Sequence, residues 1–235
     1  MALKVYFDLM SQPSRAVYIF LKMNNIPFVP KTVALRSGEH HTDEFKKINP
    51  MSLVLVIDDD GFVLTESVAI LKYLALKYNV PDHWYPRSDL QAQARVEEYM
   101  NYQHLDTRAN GAIVFQQLVI KPRAMRAPVN RAIVDNAKNR LEKVMSHFEN
   151  YFLKDNKPFL CGADISIADL LGICELMQLY ACCEENIYES NPVVKAWVSR
   201  VQRRTAPHFE EANKIVNRVR GVYSKQKEAE QNAKL

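Results

Sequence analysis

Apolar and polar positions alternate weakly over residues 3–7, the period of a strand, and Gln12-Pro13 then punctuates the chain. From Ser14 to Met23 the residues Ala16, Ile19, Phe20 and Met23 fall on one helical face. Residues 28–34 read as a second strand, and Asn49-Pro50 marks a turn. The apolar run Leu53 to Ile57 suits a buried strand. Asp58-Asp59-Asp60-Gly61 is a hairpin signal, with Phe62 to Thr65 as the return strand. Glu66-Ser67 then opens a nearly all-apolar helix that runs to about Tyr78. A β–α–β start followed by a hairpin and a helix predicts a small sheet with helices packed on it.

Beyond Pro81 the pattern changes. Residues 81–88 read as a linker, and no strand signal follows. Asp89 to about Ile120 is a long helical pattern, with a bend expected at Gly111. Ala137, Leu141, Val144, Met145, Phe148, Tyr151 and Phe152 form an amphipathic stripe. Residues 166–180 are apolar nearly all round, which predicts a central buried helix. Further helices follow from Asn191-Pro192 and after Pro207. The expected organisation is an α/β domain over 1–80, an all-α domain over 89–223, and a polar, frayed tail over 224–235.

Composition narrows the function classes. The chain has 235 residues, 48% hydrophobic and 25% charged, an ordinary globular profile without a membrane-length apolar run. The first residues lack the order of a secretory signal, so a cytoplasmic location is the expectation. The net charge of +4 sits in the last stretch: from Arg203 onward eight basic residues accompany four acidic ones, and the rest is neutral. That argues against nucleic-acid binding. The cysteines, Cys161, Cys174, Cys182 and Cys183, make no C-x-x-C pair and read as small hydrophobes in a reducing compartment. No metal-ligand spacing is present, and the six glycines build neither a phosphate loop nor a dinucleotide fingerprint.

Three short motifs carry chemistry. Ser166-Ile167-Ala168-Asp169 is a capping box with Asp at its third helical position, flanked by Ile165 and Leu170 as a staple; it speaks for folding rather than catalysis. Ser11-Gln12-Pro13-Ser14-Arg15 lies where the first strand meets the first helix. There a hydroxyl can serve as a cap, or can donate to an anion such as a thiolate in the field of the helix N-terminus. Glu66-Ser67 likewise either caps its helix or grips a ligand, the carboxylate an ammonium and the serine a carboxylate.

Taken together, these segments resemble the glutathione transferases. The βαβ–ββα start, S-Q-P at 11–13, N-P before V-x-V, E-S-V-A-I-L-x-Y-L from Glu66 and S-x-A-D from Ser166 follow that family's pattern. Tyr18-Ile19-Phe20, Asn25-Ile26-Pro27-Phe28, the Val80 to Pro86 segment and Glu98-Tyr99 with Gln103-His104 are most similar to its theta class. The likeness runs from residue 3 to about 220 and is weakest over 105–140.

The resemblance implies a thioredoxin-like first domain that binds glutathione, and an enzyme that conjugates the glutathione thiolate to small electrophiles. Ser11 would be the catalytic hydroxyl. His40 and His41 would meet the glycine end, Leu53 and Val54 the cysteinyl portion, and Glu66 and Ser67 the γ-glutamyl end. His104 and Arg108 match the second-substrate side. Glutathione would be a co-substrate with no further cofactor, peroxide reduction would be open to the same thiolate, and the family pairs as homodimers. Other classes use a tyrosine near the end of the first strand; with S-Q-P intact, Tyr6 is expected to pack at the sheet instead.

One departure matters. The family's cis-proline after Val54 is replaced by Leu55, and Leu53 lacks the basic side chain common at its position. A non-proline cis bond costs about 2.5–4 kcal/mol against trans. A trans bond and weaker glutathione binding are therefore the expectation. A second reading follows: a paralogue that keeps the fold with weak or no catalysis, acting as a ligand carrier or interaction protein. The terminal Ala233-Lys234-Leu235 resembles a peroxisomal address.

Overall fold

The computed structural model describes residues 2–232. Its first part is a four-stranded sheet in the order β2-β1-β3-β4, from β1 (Lys4–Phe7), β2 (Val29–Thr32), β3 (Val56–Asp59) and β4 (Phe62–Thr65). β1 runs parallel to β2, with Val5 opposite Pro30, and antiparallel to β3, with Val5 opposite Ile57. The β1–β2 crossover is α1 (Gln12–Met23), whose Pro13 suits a first turn that has no amide partner to lose. The β3–β4 turn places Asp60 and Gly61 at φ 55° and 89°; two successive positive φ values are the hairpin geometry that an Asp-Gly pair permits. Short α2 (Asp43–Lys46) lies before β3, and α3 (Ser67–Lys77) follows β4.

The remainder is helical: α4 (Leu90–Gln103), α5 (Ala109–Phe115), α6 (Lys121–Ala124), α7 (Arg131–His147), α8 (Ile167–Ala181), α9 (Asn186–Glu189), α10 (Pro192–Thr205), α11 (His208–Ala212) and α12 (Lys214–Asn232). The apolar helix of the sequence is α8, buried along almost its whole length as an all-round hydrophobic helix must be. α1 packs on α3 with one side and on α8 with the other, so one continuous core runs from Leu3 and Phe20 through Leu171 to Trp197. No described helix is long and apolar enough to cross a membrane.

Asp169 ties this core together. Its two oxygens accept from the Ser166 amide at 2.9 Å, the Ser166 hydroxyl at 3.1 Å, the Leu160 amide at 2.9 Å and the Trp197 indole at 2.8 Å. The capping box thus extends beyond its own helix, joining the 159–162 turn and α10 to the start of α8.

Four expectations are corrected. The strand expected over Leu53 to Ile57 begins only at Val56. The Val54–Leu55 bond is cis, not trans: Leu55 is drawn into the core at 5% exposure while the Asn49 side chain donates to the Leu53 carbonyl at 2.7 Å, so tertiary placement outweighs the local preference. The bend expected at Gly111 lies elsewhere. Gly111 is inside regular α5, and the irregular stretches are π-helical turns at His104–Arg108 and Gln116–Ile120. Residues 224–232 continue α12 rather than fray, because buried Val216 and Val219, the Arg220 bond to the Tyr180 carbonyl at 2.7 Å and the Arg123–Gln226 bond at 2.7 Å hold that helix down. The Ala233-Lys234-Leu235 terminus lies outside the described residues.

Candidate functional site

Strand β1 delivers the chain to a tight turn before α1, and this turn is over-determined. The Asp8 carboxylate accepts from the Met10 amide at 2.8 Å and the Leu35 amide at 3.1 Å, while the Ser11 amide donates to the Asp8 carbonyl at 2.9 Å. From below, fully buried Arg15 donates to the carbonyls of Leu9 (3.0 Å) and Met10 (3.1 Å), and across the domain seam to the Cys174 carbonyl (2.8 Å) and Gln178 (3.1 Å) on α8. Burial lowers the Arg15 pKa, and nearby Cys174, Glu175 and Asp8 oppose the shift.

Ser11 occupies the N-cap position of α1, yet its side chain makes no capping bond. Its half-buried hydroxyl is therefore uncommitted at a helix N-terminus, where amide donors and the helix dipole favour negative charge. Ser14, the other candidate cap, is buried inside α1 instead. Tyr6 points the opposite way from Phe7, as strand alternation requires, and packs with Val33, Phe45 and Val56 in a separate small cluster.

Beside this turn runs a cleft lined by Pro13, Asn49, Leu53, Val54, Glu66, Ser67 and Arg108, among others. The structure thus brings five of the predicted residues, Leu53, Val54, Glu66, Ser67 and Arg108, into one wall, which does not include Ser11, His40, His41 or His104. Glu66 stands at the N-cap position of α3 with φ 67° and no capping bond, its side chain exposed. The Ser67 hydroxyl is shielded from solvent and has no partner among the described residues. His104 belongs to the opposite helical side; burial lowers its pKa, the Arg108 charge adds to that, and Glu66 opposes it. His40 and His41 lie outside the cleft wall, in the 3-10 turn Glu39–His41, with ring centroids 3.8 Å apart. Burial and then His41 lower the His40 pKa, while Asp8 pulls the other way.

Several residues in this region drew no assignment from sequence. Asn49 is 1% exposed and bridges the Leu53 carbonyl and the Met51 amide, fixing the cleft wall. Arg15 and Glu175 come from segments far apart in the chain, although a lone glutamate within the apolar α8 is a readable signal. Glu175 is 1% exposed, and neither carboxylate oxygen has a hydrogen-bond partner among the described residues. Burial pushes its pKa up to about 7, against the pull of Arg108, Arg15 and Gln12.

The sign of that shift gives a testable pH dependence. A carboxyl whose folded pKa is about 7 rather than 4.5 binds its proton more tightly in the folded chain. Its contribution to stability is complete below the unfolded value and is lost as pH rises through the folded one. Glu175→Gln is expected to flatten the fall in stability between about pH 5 and about pH 8 seen in urea unfolding. An identical fall in both proteins would contradict this assignment.

Among the described residues no group of three or more His, Cys, Asp or Glu side chains is placed to hold a metal ion. All four cysteines are free; Cys174 and Cys182 are buried, and Cys161 and Cys183 half-buried.

Comparison with known proteins agrees with this architecture. Residues 1–76 match the family described as glutathione S-transferase, N-terminal domain, and residues 127–206 match glutathione S-transferase, C-terminal domain. Glutathione S-transferase theta-1 of Bos taurus is 44% identical over 218 residues, covering 92% of this chain and 89% of that protein. Glutathione S-transferase theta-2 of Homo sapiens is 42% identical over 202 residues, covering 86% and 81%. Among solved structures, human theta-class glutathione transferase in complex with the glutathione conjugate of 1-menaphthyl sulfate superposes with a TM-score of 0.90 at 38% identity, covering 97% of this chain and 92% of that one. Human glutathione transferase theta-2 in complex with glutathione and an unknown ligand gives 0.89 at 39%, covering 95% and 91%.

Proposed function

Because this chain belongs to the theta class of the glutathione transferase family, we propose that it transfers glutathione to small electrophiles and that Ser11 stabilises the reacting thiolate. The observation that carries the serine assignment is the Ser11 hydroxyl itself, placed at the N-terminus of α1 and engaged in no capping bond. A hydroxyl there can donate to sulfur as the thiol loses its proton, and the helix dipole favours the same charge. Such a donor acts on charge that is present in the reactive state, which is where electrostatic stabilisation accelerates a reaction.

The rest of the cleft gives glutathione its orientation. Glu66 offers a carboxylate to the γ-glutamyl ammonium. Ser67, at the first turn of α3, offers a hydroxyl and amide donors to the adjoining carboxylate. The backbone of Leu53 and Val54, in the cleft wall, would pair with the peptide portion, and His40 and His41, outside that wall, would meet the glycine end. The electrophile approaches from the helical side, against His104 and Arg108. Conjugation and peroxide reduction both draw on one activated sulfur.

Calorimetric titration with glutathione, paired with a conjugation assay on a small halide electrophile, tests the proposal. Binding below millimolar, accompanied by conjugation, is expected. A folded protein that neither binds at millimolar glutathione nor forms conjugate above the solution rate would overturn it.

A further inference from the structure

Arg108 faces one buried carboxylate and shares a cleft wall with a second. On the buried side Glu175 is the closer: the Arg108 Nε stands 3.7 Å from Glu175 Oε1, with the arginine side chain 28% and the glutamate 1% exposed. On the open side Arg108 shares the cleft wall with Glu66, and the charges of both reach His104. The second buried cation beside Glu175, Arg15, is held in place by its two terminal nitrogens, which bond Leu9, Met10, Cys174 and Gln178, and only its Nε has no partner among the described residues. Of these two cations, Arg108 is the one that also lines the cleft with Glu66.

The consequence concerns glutathione recognition. A Glu66 carboxylate paired with an arginine is a poor receptor for an ammonium, because the ligand must first displace a tethered cation. We propose that Glu175 is a positioning residue that holds Arg108 against the floor of the cleft, away from Glu66, so that Glu66 stays open to the ammonium of glutathione. This rests on the reading of Glu66 as the ammonium receptor. Glu175 itself touches no part of the ligand. Its two oxygens lack hydrogen-bond partners among the described residues, so its interaction with Arg108 is one of charge rather than of fixed geometry. An isosteric amide at 175 removes the charge and keeps the volume.

Glutathione titration by calorimetry on four proteins at about pH 8, where Glu175, with its pKa of about 7, carries its charge, tests the idea. Glu175→Gln is expected to weaken glutathione binding about fivefold, the scale of one ion pair at a partly exposed site. Arg108→Gln added to Glu175→Gln is expected to restore the affinity, a rescue that a merely structural glutamate would not allow. Unchanged affinity in Glu175→Gln, or no recovery in the double variant, would overturn the proposal. Should thermal melting show that Glu175→Gln does not fold, Arg108→Gln alone decides. Affinity equal to or above that of the parent supports the proposal, and a loss assigns Arg108 to direct ligand contact and overturns it. If the parent chain binds no glutathione at all, the failure lies with the proposed function and not with Glu175.

Discussion

Ser11→Ala is expected to lower kcat/KM at neutral pH by about 10- to 100-fold while leaving glutathione affinity within about twofold. A hydrogen bond to a charged group contributes about 1.5–3 kcal/mol, and 1.36 kcal/mol corresponds to one pKa unit, so the loss raises the bound thiol's pKa by about 1–2 units. The thiolate fraction near neutrality falls accordingly. Binding survives because the cleft wall of Leu53, Val54, Glu66 and Ser67 is untouched. Folding survives because the Ser11 side chain caps nothing, which limits the stability change to about 0.5 kcal/mol. Tyr6→Phe is the control. Its ring packs with Val33, Phe45 and Val56, and steady-state rates near those of the parent are expected. A Ser11→Ala enzyme of full activity, or a Tyr6→Phe enzyme as slow as Ser11→Ala, would refute the serine assignment.

The largest effect on stability is expected at Asp169, which lies far from the Ser11 turn in the sequence. Asp169→Ala removes the acceptor for the Leu160 amide, the Ser166 amide and the Trp197 indole, all in the buried core. Each stranded donor costs about 1–3 kcal/mol, so three of them give a loss of at least about 3 kcal/mol. For a chain of this length that is a fall in Tm of about 10 °C. Asp169→Asn keeps the oxygen that serves Leu160 and Trp197 and turns an amide donor towards Ser166, so a smaller loss, about 1–3 kcal/mol, is expected. Urea unfolding of both variants measures the difference. A loss below about 1 kcal/mol for Asp169→Ala would show that the network does not carry the α8–α10 packing.

Much of the fold is readable where local chemistry and tertiary need agree. Asp60-Gly61 permits the positive φ values that its hairpin adopts. The Ser166 box starts the buried helix where its residues place it, and the Ser11 turn falls at the strand-to-helix junction. The misread parts are those decided by distant partners. The Val54–Leu55 geometry depends on where the core takes Leu55 and on the Asn49 side chain, neither of which a propensity reports. The π-helical turn at His104–Arg108 lies between α4 and α5, which both pack on α8, and not at Gly111. The C-terminal helix outlasts its polar composition because Arg220 and Arg123 anchor it to α8 and α6. The buried charges show the same division. Arg15 was visible within the Ser11 motif, but its bond to the Cys174 carbonyl spans 159 residues. Glu175 is a single glutamate inside an apolar helix, and no local pattern tells which cations face it.

The central claim is that an uncommitted serine hydroxyl at the start of α1 holds a thiolate. Ultraviolet absorption of the thiolate band of bound glutathione, followed against pH, tests it directly. In the parent protein the bound thiol should titrate below about 7, against about 8.5 for an unperturbed cysteine thiol. In Ser11→Ala the midpoint should move back up by about 1–2 units. A bound thiol that titrates as it does in water, or one whose midpoint is the same with and without the Ser11 hydroxyl, would contradict the account.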